Sequence, residues 1–311
     1  MKFLLWLSAL AALSILPAAL QSDFYINICS QILIAALIAS SLNLLVGYAG
    51  LTSLGHAAFA GTAAYAIVWL SIAGVGPAAA VGIALLCVGV MAAVFGYLAL
   101  RATGLGFLMI TLALGQVLWG VAYRYVDLTG GDNGLSLPGR PDVFGFDIGT
   151  PAAFYYLTLV VFLLVLIALV AFVRSPLGLS IQGTRDQPRR MRALGYNVWL
   201  IQWLVFIAAG LLGGVGGVLY AYYHQYINPQ FLALTNSAEY LLMVIAGGSG
   251  SIAGPVVGAA VVVLAKTVVS AYVARWLMLL GIVFVLIVLF MPEGMVPGLA
   301  RLAKAIRARL S

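Results

Sequence analysis

Residues 151–173 read PAAFYYLTLVVFLLVLIALVAFV and contain no charged side chain. A helix needs about 20 consecutive apolar residues to cross the hydrocarbon core of a bilayer. Similar runs recur along nearly all of the 311 residues, of which 64% are hydrophobic and 7% are charged. A soluble domain carries roughly 25% charged residues. The sequence therefore predicts an all-α integral membrane protein and excludes a soluble globular one.

The apolar runs predict about ten transmembrane helices. The expected spans are 3–20, 26–46, 57–73, 77–100, 104–123, 151–173, 200–223, 238–250, 253–272 and 276–292. The first span resembles a secretory signal peptide, but residues 18–21 (AALQ) form a poor cleavage site, so we expect it to be retained as a helix. The run 238–250 is short for a core about 30 Å thick, which predicts a half-helix or a re-entrant segment.

The charged residues predict the orientation of these spans. Loop 174–199 has five arginines and one acid, and the tail 293–311 is also basic, whereas loop 124–149 has four aspartates. Because positive loops stay in the cytoplasm, both termini are expected there, around a single transmembrane domain over residues 1–311. Loop 124–149 would then be extracytoplasmic, either capping the mouth of a pathway or only connecting two helices. The net charge of +7 therefore indicates topology and not nucleic-acid binding.

Enzyme signatures are lacking in the sequence. There is no GxxxxGK[ST] phosphate-binding loop, and the two histidines, His56 and His224, lie far apart without metal-ligand spacing. We therefore expect no catalytic residue, no metal site and no cofactor in this chain.

Two glycine-rich segments, 47–61 and 247–258, interrupt the apolar pattern about 200 residues apart. Such breaks expose backbone polar groups, which are tolerated at membrane depth only beside protein or a watery pathway. Candidate residues of the pathway or of the helix breaks are Asn43, Gly47, Gly50, Thr111, Gln116, Gly247, Gly248, Gly250 and Gly254. The polar side chains among them could instead bond a neighbouring helix for about 1 kcal/mol each.

Two further patterns predict internal packing. Gly210, Gly213, Gly214 and Gly217 form overlapping small-xxx-small patterns, which allow helix backbones to approach closely. Glu239 and Lys266 lie inside apolar runs, where unpaired charges are costly, so we expect them to form a structural pair, with an outward extension of the Lys266 side chain to the membrane surface as the alternative.

Loop 174–199 predicts a short amphipathic helix between two long spans. Asp186 could cap it, Pro188 is tolerated in a first turn, and Gly195 could end it. Met191 and Leu194, three residues apart, would share one apolar face. Such a helix fits a docking element for a soluble partner, whereas a basic loop held to anionic lipid explains only the charges.

Several motifs then resemble one family. Residues 43–65 (NLLVGYAGLTSLGHAAFAGTAAY), 129–135 (TGGDNGL), 185–196 (RDQPRRMRALGY) and 247–258 (GGSGSIAGPVVG) are similar in order and spacing to the branched-chain amino-acid permeases of ATP-binding-cassette importers. The loop at 129–135 resembles that of the M-type permease subunit.

The resemblance implies a multi-pass subunit in the bacterial inner membrane. Its partners would be a second homologous permease, two ATPase subunits holding ATP and Mg²⁺, a periplasmic substrate-binding protein and membrane lipid, but no nucleic acid. The residues implied in ATPase coupling are Arg185, Asp186, Pro188, Arg189, Arg192 and Gly195. The three arginines at 189, 190 and 192 depart from the expected pattern, which has more acids and alanines.

The cargo implied is a branched-chain or other small hydrophobic amino acid. The same kind of machine also carries urea, short amides or aromatic acids. A stand-alone secondary transporter or channel is the alternative of another class, although the sequence offers no clear mid-membrane coupling charges or filter for it.

Overall fold

The computed structural model describes residues 22–141 and 148–270, together with 278, 281, 282, 285, 289, 294–298 and 301. Helices dominate this part of the chain, which confirms the all-α prediction. The first four long helices are α1 Asp23–Asn43, α2 His56–Ile72, α3 Pro77–Ala99 and α4 Leu105–Arg124. A π-helical segment, Leu44–Ala49, continues α1 without a break.

The remaining elements follow in chain order. They are α5 Val126–Thr129, a 3-10 turn Gly131–Asn133, β1 Leu135–Ser136, α6 Pro151–Arg174, α7 Pro176–Asp186, α8 Pro188–Ala193, α9 Val198–His224, β2 Tyr226–Ile227, a 3-10 turn Pro229–Leu232, α10 Leu234–Gly247, α11 Gly254–Leu264 and a π-helical segment Ala265–Val269. Prolines stand in the first turns of α3, α6, α7, α8 and α11, where a missing N–H costs nothing.

Five described helices are long and apolar enough to cross a membrane: α1 with its π-helical extension, α3, α4, α6 and α9. Two shorter apolar helices, His56–Ile72 and Gly254–Thr267, lie within predicted spans as well. The predicted short helix near 238–250 is present as the 14-residue helix α10, which begins four residues earlier and ends at Gly247. The predicted span 3–20 lies outside the described residues, as do most of 276–292 and of the tail 293–311.

The centre of the bundle is α1. Its most apolar window is 83% buried, compared with 28% for α3, 22% for α4 and 28% for α6. Helices α6, α9 and α11 pack around α1, and α9 also packs against α2 and α3. The weakly covered helices α3, α4 and α6 therefore present most of the apolar outer surface of the described structure.

Small residues bring α9 against its neighbours, as the sequence predicts. A Cβ on Gly217 would overlap the carbonyl of Ala60 in α2, and one on Gly210 would lie 2.6 Å from the Ala92 Cβ in α3. Since lipid tails are as apolar as the side chains, such close backbone contact is what holds membrane helices together. The small-xxx-small interpretation of residues 210–217 is confirmed.

Arg140 holds the loop after α4 onto one end of the bundle. Its guanidinium donates to the carbonyl oxygens of Tyr222 at 3.1 Å, Gly149 at 3.1 Å and Ile148 at 3.3 Å, and lies 4.5 Å from the centre of the Phe154 ring. Burial lowers the pKa of this guanidinium, which still leaves it charged at neutral pH. Antiparallel pairing of β1 with β2 joins this loop to the segment that follows α9.

We expect Arg140→Met to destabilise the protein by about 2–3 kcal/mol, because several charge-assisted hydrogen bonds are lost together. Thermal unfolding of the detergent-solubilised chain measures the change. Arg124→Met, which removes an exposed arginine from the end of α4, is the control and should leave the midpoint unchanged. Equal midpoints for Arg140→Met and the control would show that the loop is not held by Arg140.

Candidate functional site

The two glycine-rich breaks, far apart in sequence, meet in the structure. Asn43, at the end of α1 and 1% exposed, joins them through its side-chain amide. Its Oδ1 accepts from the backbone N–H of Gly250 at 2.9 Å, and its Nδ2 donates to the carbonyl oxygen of Ser251 at 2.9 Å. One amide side chain thus satisfies a donor and an acceptor that the broken helix leaves without helical partners.

Backbone lies against backbone at this contact. A Cβ on Gly47 would overlap the Gly250 nitrogen, and one on Gly247 would overlap the carbonyl of Gly254. Gly250 has φ +79° and Gly248 has φ +116°, values that favour glycine. Gly294 adds a third segment, since a Cβ there would overlap the backbone of Gly248. We call this meeting point, formed by Asn43, Gly47, Gly50, Gly247, Gly248, Gly250, Ser251 and Gly254, the glycine junction.

Arg185 connects loop 174–199 to the glycine junction. Its Nη1 donates to the carbonyl oxygen of Gly47 at 2.6 Å, and its Nη2 lies 2.8 Å from an oxygen of Asp186. The aliphatic part of the side chain covers Gly50, where a Cβ would come within 2.7 Å of the Arg185 Cγ. The π-helical segment 44–49 presents the Gly47 carbonyl to this contact, and π turns occur frequently at functional sites.

The short helix in this loop exists, but the sequence prediction of its start is wrong. Asp186 is the last residue of α7 and pairs with Arg185, while Gln187 precedes the first turn of α8 without a side-chain cap. Pro188 occupies the first turn as predicted. Gly195, at φ +86°, stops the helix, and the N–H groups of Gly195 and Tyr196 bond the last carbonyls.

The predicted apolar face of this helix is also wrong. Met191 is 9% exposed and packs against Gly183 of α7, whereas Leu194 is 64% exposed and points away. The reason is that α7 occupies the side of α8 on which Met191 falls. Arg189, Arg190 and Arg192 are all exposed, so the free surface of α8 is basic with one leucine at its edge.

Thr111 and Gln116, the remaining candidates, lie in α4. Thr111 is 1% exposed, and its hydroxyl donates to the Leu108 carbonyl at 2.9 Å and accepts from the Leu54 N–H at 3.2 Å. It therefore supports the segment between the π-helical turn and α2. Gln116 is half-buried and makes no hydrogen bond to the described residues, so the structure does not bring it into the glycine junction.

Sequence reasoning missed a buried polar pair beside the glycine junction. The Ser41 Oγ lies 2.6 Å from the Nε2 of His56, which is fully buried, and within the described residues the Nδ1 of this histidine has no partner. The N–H of the next residue, Ala57, donates to the Ser237 hydroxyl of α10 at 3.0 Å. One feature of the sequence could have predicted this pair: His56 directly follows the glycine-rich break, at the start of the next apolar run.

The predicted pair of Glu239 and Lys266 is confirmed. The Lys266 Nζ lies 3.1 Å from one carboxylate oxygen of Glu239 and 3.3 Å from the other. The pair bridges α10 and the π-helical segment after α11. Among the described residues, no cluster of His, Cys, Asp and Glu could hold a metal ion.

These helices define a multi-pass membrane protein. A family model described as the branched-chain amino acid transport system / permease component matches residues 24–288, and the chain belongs to that family. The resemblance found in the sequence motifs is thereby confirmed.

Individual relatives point to one branch of this family. The high-affinity branched-chain amino acid transport system permease protein LivM of Escherichia coli is 27% identical over 94% of this chain and 75% of its own length. LivM of Salmonella typhimurium is 25% identical with the same coverages, and LivH of Escherichia coli is 25% identical over 64% of this chain. No solved structure matches the chain significantly.

Proposed function

We propose that this chain is the M-type permease subunit of an ATP-binding-cassette importer in the bacterial inner membrane. It provides the pathway for branched-chain or other small hydrophobic amino acids by alternating access. About ten spans in one transmembrane domain would place both termini in the cytoplasm. A homologous permease, two ATPase subunits that bind ATP and Mg²⁺, and a periplasmic binding protein complete the assembly.

The observation that carries this proposal is the contact between Arg185 and the Gly47 carbonyl. It joins the loop proposed to dock on the ATPase to the π-helical turn at 44–49, which directly precedes the non-helical stretch 50–55. Asn43 then joins that segment to the second break at Gly250 and Ser251. A displacement of α7 and α8 is thereby coupled through two side chains to both helix breaks.

The proposed mechanism follows from this connectivity. Closure of the ATPase pair on ATP displaces α8, and α7 moves with it because Met191 packs against Gly183. Arg185 shifts the π-helical turn at 44–49, and Asn43 carries the shift to the 247–254 break. Glycine-rich segments can change backbone conformation without rearranging buried side chains around them. This property suits segments that alternate between two states.

The exposed arginines of α8 would dock on the ATPase. We expect Arg189→Glu/Arg192→Glu to reduce recovery of the ATPase subunit by about tenfold or more, because the proposal pairs these arginines with an acidic ATPase surface, which the reversed charges would repel. The measurement is a pull-down of the tagged chain from gently solubilised membranes. Arg124→Glu reverses a charge at the opposite end of the bundle and should retain the wild-type yield.

Two results would overturn the proposal. One is that wild-type chain never recovers an ATPase subunit yet moves solute down its gradient after reconstitution, which would identify a stand-alone transporter or channel. The other is that the double variant recovers the ATPase as well as the wild type does, which would remove the docking role of α8. Uptake of urea, short amides or aromatic acids in place of leucine would change the proposed substrate and leave the proposed importer unchanged.

A further inference from the structure

A cavity of about 480 Å³ opens between α1, α9, α10 and α11, and none of its lining residues belongs to the glycine junction. Its walls are of three kinds, aliphatic, charged and aromatic. Ile34, Ala35, Met243 and Val263 give an aliphatic side, whereas Glu239 and Lys266 give a charged side. Cavities of a few hundred Å³ with mostly apolar walls and a few convergent polar groups are typical of sites for small organic ligands.

The charged side is well suited to a solute with two opposite charges. The Glu239 side chain is 17% exposed and that of Lys266 is 47% exposed, so both reach the cavity while bonded to each other at 3.1 Å. Charged groups in a transmembrane helix are costly, and where they face a cavity they mark solute pathways. Lys266 also lies in a π-helical turn, 265–269, a local irregularity that is frequent at functional sites.

Aromatic rings close the third side of the cavity. Tyr220 stacks on Phe231 with ring centres 3.7 Å apart, and His224 contacts the rings of both Tyr220 and Tyr223. The ring faces of Tyr220 and Phe231 provide the negative potential that attracts an ammonium group. Gln31 fixes the Tyr223 hydroxyl with a hydrogen bond of 3.0 Å.

We propose that this cavity is a transit site for a zwitterionic amino acid with an aliphatic side chain. The solute ammonium bonds Glu239, the solute carboxylate bonds Lys266, and the side chain packs on Met243 and Val263. The solute enters between two groups that otherwise neutralise each other, so no charge is left uncompensated in either state. The inference rests on the proposed function and adds to it a binding site inside this subunit.

The test uses the full chain in lipid nanodiscs and saturation-transfer NMR, which detects weak binding. The probes are L-leucine, 3-methylbutylamine, which lacks the carboxylate, and 4-methylpentanoate, which lacks the ammonium. We expect leucine to bind about tenfold more tightly than either analogue, the effect of one charge-assisted contact. Lys266→Met should abolish the preference over the amine, and Glu239→Gln should abolish the preference over the acid.

A charge-swapped variant separates binding from a purely structural ion pair. Glu239→Lys/Lys266→Glu keeps the pair, so the fold is retained, but each end of a leucine seated on the aliphatic wall then meets a like charge. We expect leucine binding to fall at least about tenfold. Wild-type affinity in the swapped variant would identify a structural pair and overturn the site, as would equal binding of leucine and both analogues to wild type.

The readout is independent of the ATPase. If leucine binding depends on both charges but the chain never recovers an ATPase, the proposed binding site stands and the proposed importer function is refuted. Recovery of the ATPase together with leucine binding that ignores both charges would retain the importer and refute the site.

Discussion

Gly258→Leu should leave little folded protein. Gly258 lies in α11 against α10, and a Cβ there would overlap the carbonyl oxygen of Met243. The neighbouring atom is backbone, so no side-chain rotation relieves the overlap and the two helices must separate. We expect a loss of about 3 kcal/mol or more, equivalent to roughly 5 °C or more in the unfolding midpoint of a chain of this length. Fluorescence-detected size exclusion and thermal unfolding in detergent measure the loss.

The control for this variant is Gly82→Leu. Gly82 is exposed on α3, and a Cβ there meets no atom within 4 Å. The same substitution should be neutral or slightly stabilising, since leucine is a better helix former than glycine. If both variants elute and unfold like the wild type, the close contact of α10 with α11 is wrong.

Asn43→Leu should uncouple the two helix breaks. The substitution retains the branched shape and the number of heavy atoms of the side chain, although leucine is larger, and it leaves the Gly250 N–H and the Ser251 carbonyl without their partner. Each buried unsatisfied group costs about 1–3 kcal/mol, so the unfolding midpoint should fall. If the proposed mechanism holds, reconstituted importer should hydrolyse ATP while uptake of L-leucine falls by at least about tenfold, the effect of roughly 1.4 kcal/mol on a coupling equilibrium.

Asn27→Leu provides the matched control on the same helix. Asn27 is half-buried in α1, and its side chain makes no hydrogen bond to the described residues. It should retain both the midpoint and the ratio of solute moved to ATP hydrolysed. Equal ratios for Asn43→Leu and wild type would contradict the coupling through Asn43, whatever happens to stability.

Much of the fold was predictable because bilayer thickness sets the length of an apolar run. The described helices α3, α4, α6 and α9 begin and end within two residues of the predicted spans. The glycine junction was not predictable as a contact, since residues 47 and 250 become neighbours only through tertiary packing. The sequence marked both segments as breaks but carried no signal that one asparagine would bond across them.

Loop 174–199 shows where local reasoning fails. An aspartate before a proline is a common helix start, yet Asp186 ends a preceding helix, α7, that was not predicted. The spacing of Met191 and Leu194 predicted one shared apolar face. In the structure, Met191 packs against α7, whereas Leu194 is exposed. The ion pair of Glu239 with Lys266 was predictable because an unpaired charge inside an apolar run is costly, so two opposite charges in such runs favour pairing.

The central position of α1 has a consequence for biosynthesis. The ribosome completes this helix early, but two of the helices that enclose it, α9 and α11, are among the last described segments to be made. Until they are made, Gly213 of α9 does not cover the Ser41 hydroxyl and the His56 ring. Asn43 likewise lacks its hydrogen-bond partners at residues 250 and 251. In chains that terminate before residue 198, the apolar helix α1 therefore exposes the polar side chains of Ser41 and Asn43 without the contacts that bury them in the full structure.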